Sequence, residues 1–171
     1  MKHSRKYNIF PVLVGLTLLA ACEQGAETAP TPKISNVELA GGLTVKEQIE
    51  ARQAQLKKMG KAFKTISDEL KAGSPDLAQI QAAAAAVPKE SATMIDWFPE
   101  GTGPESGIKT EALPIIWESK EDFNDKVAAL QEAAALLDSA AQTGDVAAIG
   151  AAFKTTGGTC KTCHDKYRMD D

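Results

Sequence analysis

The chain has 171 residues, of which 43% are hydrophobic and 25% charged, and its formal net charge at pH 7 is −4. This length and composition are typical of one globular domain with an additional segment. The acidic balance argues against nucleic acid as a partner, because proteins that bind nucleic acid present a basic surface to the phosphate backbone.

Residues 1–21 are typical of a secretion signal. Three basic residues precede the apolar run IFPVLVGLTLLAA, which is too short to cross a bilayer as a mature helix. The run ends in LAAC at 19–22, which matches the bacterial lipobox, where the signal is cut and the new N-terminal cysteine receives lipid. We therefore predict a lipid anchor on Cys22. The alternative is an ordinary signal peptide cut nearby, which leaves Cys22 as a free thiol.

Residues 22–42 are predicted to be a flexible tether, because they hold few large apolar residues and many Pro, Gly, Ala and Thr. Removal of the signal takes away three positive charges and no negative ones, so the formal charge changes from −4 to −7. The remaining residues, 43–171, form the predicted folded domain.

This domain shows helical periodicity in four blocks and little strand alternation. Apolar residues recur at spacings of three and four within 45–70, 77–98, 123–141 and 146–167. Thr44 and Glu47 form a predicted capping box at the start of the first helix, and Gly73-Ser74-Pro75 marks its end.

Two features interrupt the four blocks. Pro88 is expected to kink or split the second helix. Residues 99–114, with three prolines and three glycines, are predicted to be a long loop between the second and third helices. Four amphipathic helices with two short connections and one long one predict an all-α fold, an antiparallel four-helix bundle whose interior can hold a cofactor.

The last helix carries the motif CKTCHDKYR, which starts at Cys160. A zinc site would need about four ligands, yet His164 is the only histidine left after removal of the signal. A thioredoxin-like redox pair belongs after a strand, and no strand pattern precedes this one. An exported protein can form a structural disulfide, but two cysteines three positions apart within a helix have poor geometry for one.

Covalent haem attachment explains all three residues of the motif together. On a helix, Cys160, Cys163 and His164 fall on one face, so two thioether bonds can hold the porphyrin edge while the imidazole reaches the iron. The motif lies near the end of the chain, so any group on the other side of the haem has to come from an earlier helix.

Arg52 is the only charged residue within the apolar stripe of the first helix. A buried guanidinium requires an anionic partner, and a haem propionate supplies one with a geometry that suits its fork of N–H groups. The alternative is that Arg52 extends to the end of the bundle or pairs with a glutamate.

Three stretches, ARQAQLKKMG, WFPEGTGPESGIKTEALPIIW and CKTCHDKYR, carry a resemblance to the class II c-type cytochromes, the cytochrome c-prime family and its low-spin relatives. The resemblance covers residues 43–169 and implies one covalently bound haem c on the last helix of a four-helix bundle. By the same resemblance, the arginine of the family's first helix falls on Arg52. The basic residue four positions after the ligand histidine falls on Arg168.

The family's residue on the open side of the iron falls on Leu56. A methionine there gives six-coordinate, low-spin iron, so the leucine implies a five-coordinate iron under an apolar lid that admits small uncharged gases such as nitric oxide or carbon monoxide. Met59, one turn further on, offers an alternative ligand through its thioether sulfur, although a methionine at this spacing also fits core packing.

Two functions follow from the resemblance. The first is electron transfer at the periplasmic face of a bacterial membrane with a redox partner protein that the sequence does not identify, and the second is gas binding for scavenging or sensing. Members of the class often dimerise through helices one and two. An enzyme is not predicted, since no nucleophile, base and orienting partner converge. A third interpretation, a structural lipoprotein with a disulfide, predicts a colourless protein.

Overall fold

The computed structural model describes residues 34–169 and confirms the all-α prediction. Four long helices build the domain, and a fifth of one turn precedes the third long one. In chain order they are α1 Val45–Lys71, α2 Leu77–Ser91, α3 Ile115–Glu118, α4 Lys120–Thr143 and α5 Val146–Tyr167. No helix within residues 34–169 has both the length and the hydropathy needed to cross a bilayer.

Local side-chain chemistry explains where α1 begins and ends. The Thr44 hydroxyl accepts the backbone N–H of Glu47, and the Glu47 carboxylate accepts the N–H of Thr44 at 2.9 Å, which is the predicted capping box. The pKa of Glu47 is lowered because these hydrogen bonds from Thr44 favour the charged carboxylate. The helix ends at Lys71, where Ala72 turns to extended backbone just before the predicted Gly-Ser-Pro stop.

Pro88 does not split α2. The helix begins with Asp76, whose carboxylate accepts the N–H groups of Ala78 and Gln79, and it continues three residues past the proline to Ser91. Only the last turn follows Pro88, so a single backbone hydrogen bond is lost near an end that is already short of partners.

A tight turn joins α4 to α5. Gly144 has a φ of +72°, a left-handed conformation that favours glycine, and Asp145 then caps α5 through the N–H groups of Ala147 and Ala148. This short connection, like the one between α1 and α2, makes successive helices antiparallel.

The helices close into a ring. α1 packs along α2, α2 along α4 and α4 along α5, whereas α1 and α5 meet over a much smaller area. Two buried clusters fill the bundle. The cluster at the end where α1 finishes consists of Ala62, Ile66, Ile80, Ala83, Ala84, Val87, Ala134, Leu137, Ala141 and Ile149. The cluster at the end where α1 begins consists of Met94, Trp97, Phe98, Ala112, Ile116, Phe123, Val127, Leu130 and Tyr167.

The connection between α2 and α4 contains more structure than the predicted loop. One 3-10 helix, Met94–Trp97, lies where the sequence predicted the end of the second helix, and another, Pro104–Ser106, lies inside the predicted loop. The indole N–H of Trp117 donates to the carbonyls of Phe98 and Pro99, each at 3.1 Å, and so ties the start of the loop to α3.

Residues 34–42 belong to the segment predicted as a tether, and they contact the bundle. After a single 3-10 turn, the carbonyl of Val37 accepts the N–H of Val45 at 3.0 Å, and the N–H of Leu39 donates to Leu43. The signal and the anchor at Cys22 lie outside the described residues, so the domain boundaries stay predictions.

Candidate haem site

A cavity of about 740 Å³ opens in the end of the bundle where α1 begins and α5 finishes. Its walls come mainly from α1, α4, α5 and the last part of the long loop, and α1 and α5 contact each other little. A cofactor-sized cavity lined mainly by apolar side chains is the usual form of a binding site. The predicted residues that line it are Arg52, Leu56, Met59, Cys160, Cys163, His164 and Arg168.

The α5 wall carries the attachment motif. Cys160, Cys163 and His164 are each half-buried and all border the cavity, as their spacing of three and four on a helix requires. The two cysteines are free thiols and pack against the cluster at this end of the bundle. The structure therefore brings the three residues of the motif to one surface.

Burial controls the charge of these groups. It raises the pKa of Cys160 and, with the neighbouring Cys160 adding to the effect, raises the pKa of Cys163 to about 11. Burial also lowers the pKa of His164, and the positive charge of Arg168 lowers it further. At neutral pH the thiols are protonated and the imidazole is neutral, and a neutral imidazole has the free lone pair that a metal ligand needs.

Part of the α1 wall opposite is apolar. Leu56 and Met59 are both half-buried, both border the cavity and both pack on the same cluster as the cysteines. Gly60 and Phe63 continue this wall for one more turn. The first helix therefore places one side chain with no donor atom and one thioether on the cavity.

Arg52 lies in a socket made by the long loop. Its side chain is only 2% exposed, and its guanidinium donates to the Thr102 hydroxyl (2.9 Å), the Thr102 carbonyl (2.7 Å) and the Thr110 hydroxyl (2.8 Å). The guanidinium carbon also lies 4.8 Å from the centre of the Phe98 ring, a cation–π contact. Burial lowers the pKa of Arg52 to about 10, and the charge of Glu105 opposes that shift.

These hydrogen bonds show that Arg52 is buried without an anionic partner from residues 34–169 bound to its guanidinium. An arginine has five N–H donors, and the three hydrogen bonds to threonines leave two for any further partner. The loop satisfies most of the buried guanidinium without a carboxylate, which is a third arrangement beside the propionate and the glutamate pairing that the sequence suggested.

The last part of the loop is fastened to the end of α5. The N–H of Leu113 donates to the Tyr167 carbonyl at 3.0 Å, and the N–H of Met169 donates to the Glu111 carbonyl at 2.8 Å. Arg168 lies just past the helix, with its N–H on the His164 carbonyl and its side chain exposed at the edge of the cavity. The loop wall and the helix that carries His164 are thus one connected unit.

Sequence reasoning did not identify the loop residues that form the site. Thr102 and Thr110 hold Arg52, and Lys109 and Ala112 border the cavity. The only signal for them was the length of the loop, which indicated a functional surface without indicating which residues form it.

The residues of this cavity fit a covalently attached haem better than the other interpretations. Two thiols and a neutral imidazole share one wall, and an apolar wall faces them. Zinc would need about four ligands, and within residues 34–169 no three His, Cys, Asp or Glu side chains come together as a metal site.

Comparison with known proteins identifies the family. The family model for cytochrome c′ matches residues 47–168. This chain belongs to the cytochrome c′ family. Its cofactor is therefore a single, covalently attached haem c, as the sequence predicted.

Individual members of the cytochrome c′ family agree with this assignment. Cytochrome c′ of Rhodospirillum rubrum is 40% identical over 123 residues, which cover 71% of this chain and 82% of that protein. A solved cytochrome c′ with an unusual ligand-controlled dissociation of its dimer superposes on this chain with a TM-score of 0.70. The two sequences are 33% identical, and the match covers 75% of this chain and 99% of that one. The nitric oxide complex of a cytochrome c prime variant from Alcaligenes xylosoxidans superposes with a TM-score of 0.67 at 31% identity. This match covers 74% of this chain and 97% of that one.

Proposed function

We propose that this cytochrome c′ family member transfers electrons, with haem attached through Cys160 and Cys163 and with His164 as the proximal ligand. The observation that carries this proposal is the single cavity wall on which both thiols and the neutral imidazole lie. Bound haem c supplies a one-electron ferric–ferrous couple and an axial position for a small ligand.

The residues of the chain have separate tasks in this proposal. Cys160 and Cys163 would hold the group on α5, and His164 would supply an imidazole nitrogen to its iron from the same helix. Leu56 and the buried aromatic cluster keep water away from the opposite side. Arg52, with two free N–H groups, and Arg168, exposed at the cavity edge, place positive charge where carboxylates of the group would bind.

Gas binding is the second candidate function, and Leu56 favours it. A leucine has no lone pair, so a site capped by Leu56 leaves the axial position open to nitric oxide or carbon monoxide. The similar Alcaligenes xylosoxidans protein has been solved as a nitric oxide complex, which supports this alternative by analogy. Met59 favours electron transfer instead, since a thioether from the same wall would close the position.

The visible absorption spectrum of the reduced holoprotein separates the two functions. A broad high-spin spectrum that changes on addition of carbon monoxide is expected if Leu56 caps an open site. A sharp low-spin α band that does not respond to carbon monoxide would show that the axial position is closed and would remove the gas-binding function. A colourless protein would contradict both.

The protein is proposed to act in the bacterial cell envelope. The signal at 1–21 and the lipid on Cys22 would place it on a membrane, facing the periplasm, with residues 22–42 as the tether. The redox partner is proposed to be another protein at that surface. A homodimer is also proposed, on the analogy of the family member described by ligand-controlled dimer dissociation.

We propose a carrier and not an enzyme. Within residues 34–169, the hydrogen bonds of the polar cavity side chains join Arg52 to the loop threonines and Gln53 to the carbonyl of Lys109. They also join Tyr167 and Lys126 to Asp122. None of them joins a cysteine of the site to a base, as nucleophilic catalysis would require.

A further inference from the structure

The end of the bundle that contains the cavity also exposes apolar side chains. Within residues 34–169 seven large apolar side chains are exposed to water, and four of them lie near the start of α1: Ile34 (53%), Val37 (43%), Leu43 (39%) and Ile95 (48%). We refer to these four as the apolar end residues. Burying such side chains is favourable by about 25 cal/mol per Å² of apolar surface, so a group of them at one end of the bundle indicates a surface that binds an apolar partner.

Hydrogen bonds fix the apolar end residues beside the start of α1. Val37 and Leu43 belong to the turn whose backbone bonds reach Val45, the first residue of α1. Ile95 lies in the 3-10 helix that Gln48 holds, since the Gln48 side-chain amide donates to the carbonyl of Trp97 at 3.1 Å. Val37, Leu43 and Ile95 are therefore about two helical turns from Arg52, at the near edge of the cavity, along the axis of α1. The 3-10 turn that contains Ile34 also contacts α1.

The chain before Ile34 restricts which end of the bundle can face a membrane. Ile34 is twelve residues after Cys22, and a fully extended chain of that length spans at most about 40 Å. The 27 residues of α1 are about 40 Å long. If the opposite end faced a membrane that held Cys22, those twelve residues would have to be fully extended, whereas with the cavity end facing it they are under no such constraint.

We propose that the cavity end of the bundle rests on the membrane surface, with Ile34, Val37, Leu43 and Ile95 in contact with the lipid interface. This inference depends on the lipid anchor at Cys22 that forms part of the proposed function. The anchor keeps the apolar end residues at high local concentration beside the bilayer, so contacts too weak to bind a free protein are sufficient for an attached one.

The contact is apolar and not electrostatic. Of the charged residues within four positions of the apolar end residues in the chain, Glu38, Glu47 and Asp96 are acidic, and Lys33 and Lys46 are basic. Charges that nearly balance give little attraction to anionic headgroups, so the contact should depend little on salt concentration.

This orientation determines how the cavity is approached. The cavity lies in the end that faces the membrane, so an electron donor or acceptor reaches it from the same surface, and an uncharged gas dissolved in the bilayer is released beside it. The partner is therefore one held at the membrane, and a partner free in the periplasm would meet the opposite end first.

Hydrogen–deuterium exchange tests the orientation. The lipidated holoprotein in vesicles of phosphatidylethanolamine and phosphatidylglycerol is compared with the same holoprotein secreted through an ordinary cleaved signal and carrying Cys22→Ala. We expect backbone protection on vesicles at residues 34–44 and 93–97, unchanged at raised salt. No added protection is expected around Leu136 and Val146, which are equally exposed apolar residues elsewhere on the bundle.

Matched variants complete the test. Ile34→Ser, Val37→Ser and Leu43→Ser together should remove the protection, whereas Leu136→Ser with Val146→Ser should leave it in place. If the protein carries its lipid but the protection is absent, uniform along the chain or unchanged in the triple variant, the proposed orientation is wrong. The lipid anchor itself would not be contradicted by that result. A mass that shows no lipid on Cys22 would remove the anchor and the inference with it. Protection that appears without vesicles at high protein concentration would assign the surface to a second copy and overturn the inference.

Discussion

At the scale of single residues, two neighbours on α1 separate the two proposed functions. Leu56 and Met59 line the same wall of the cavity and are both half-buried. One has no donor atom and the other has a thioether, so in the proposed haem site the residue nearer the iron would decide whether a small ligand can bind.

Leu56→Met is expected to make the iron six-coordinate and low-spin. The exchange nearly conserves volume and should cost less than about 1.5 kcal/mol of stability, so the fold remains. The absorption spectrum should sharpen, and the response to carbon monoxide should disappear. The control is Met59→Leu, which should leave the spectrum unchanged. If the spectrum changes in the control and not in Leu56→Met, the ligand position belongs to Met59.

Arg52 is the second residue whose surroundings matter. With a pKa of about 10, its charged form exceeds its neutral form by about a thousandfold at pH 7, although the side chain is almost fully buried. The charge is tolerated because Thr102 and Thr110 supply oxygen acceptors and Phe98 supplies a ring face. Arg52 therefore joins the first helix to the loop and has N–H groups left for the cofactor.

At the scale of secondary-structure elements, Asp122 joins the start of α4 to the end of α5. Its carboxylate accepts from Lys166 (2.8 Å), from the phenol of buried Tyr167 and from Lys126 in the next turn (3.3 Å). These hydrogen bonds, first among them the one from Lys166, hold the pKa of Asp122 well below its usual range. The contact fixes the part of α5 that carries His164.

Asp122→Asn is expected to lower the free energy of unfolding at neutral pH. In acid the variant and the original protein should become similar in stability. The pKa of Asp122 is lower in the folded than in the unfolded chain, so its contribution is fully present above the unfolded value, near 3.9, and falls as the pH drops towards the folded one. Urea unfolding of the holoprotein at pH 7 and in acid measures this difference. Asp125→Asn, exposed on the same helix, is the control and should show little change at either pH.

The same elements limit how the loop can move. Backbone bonds from Leu113 to Tyr167 and from Met169 to Glu111 pair the loop with the end of α5, and Arg52 holds the loop from α1. A shift of either helix is therefore transmitted to the cavity wall. The loop is a structural part of the site, as well as a connection.

At the scale of the whole molecule, the bundle has one packed end and one end built around a cavity. The cavity of about 740 Å³ is lined mainly by apolar side chains, which belong to the buried cluster at this end. Water would leave the apolar lining exposed, so the cofactor is expected to act as part of the core.

A haem-free form is expected to lose order at the cavity end while the packed end persists. Cys160→Ala with Cys163→Ala removes both attachment points, and hydrogen–deuterium exchange measures protection along the chain. Protection should fall around Phe123 and Tyr167 and remain around Ile66, Ile80 and Leu137, which have no contact with the cavity. Equal loss at both ends would show that the bundle unfolds as one unit and would contradict the division.

The sequence by itself determined the four helices, the capping box at Thr44 and the shared face of Cys160, Cys163 and His164, because each depends on spacings of three or four residues along one helix. Only the tertiary structure decided what Arg52 binds and which loop residues enclose the cavity. Those contacts join positions fifty or more residues apart, and the packing that brings them together leaves no periodic pattern in the sequence.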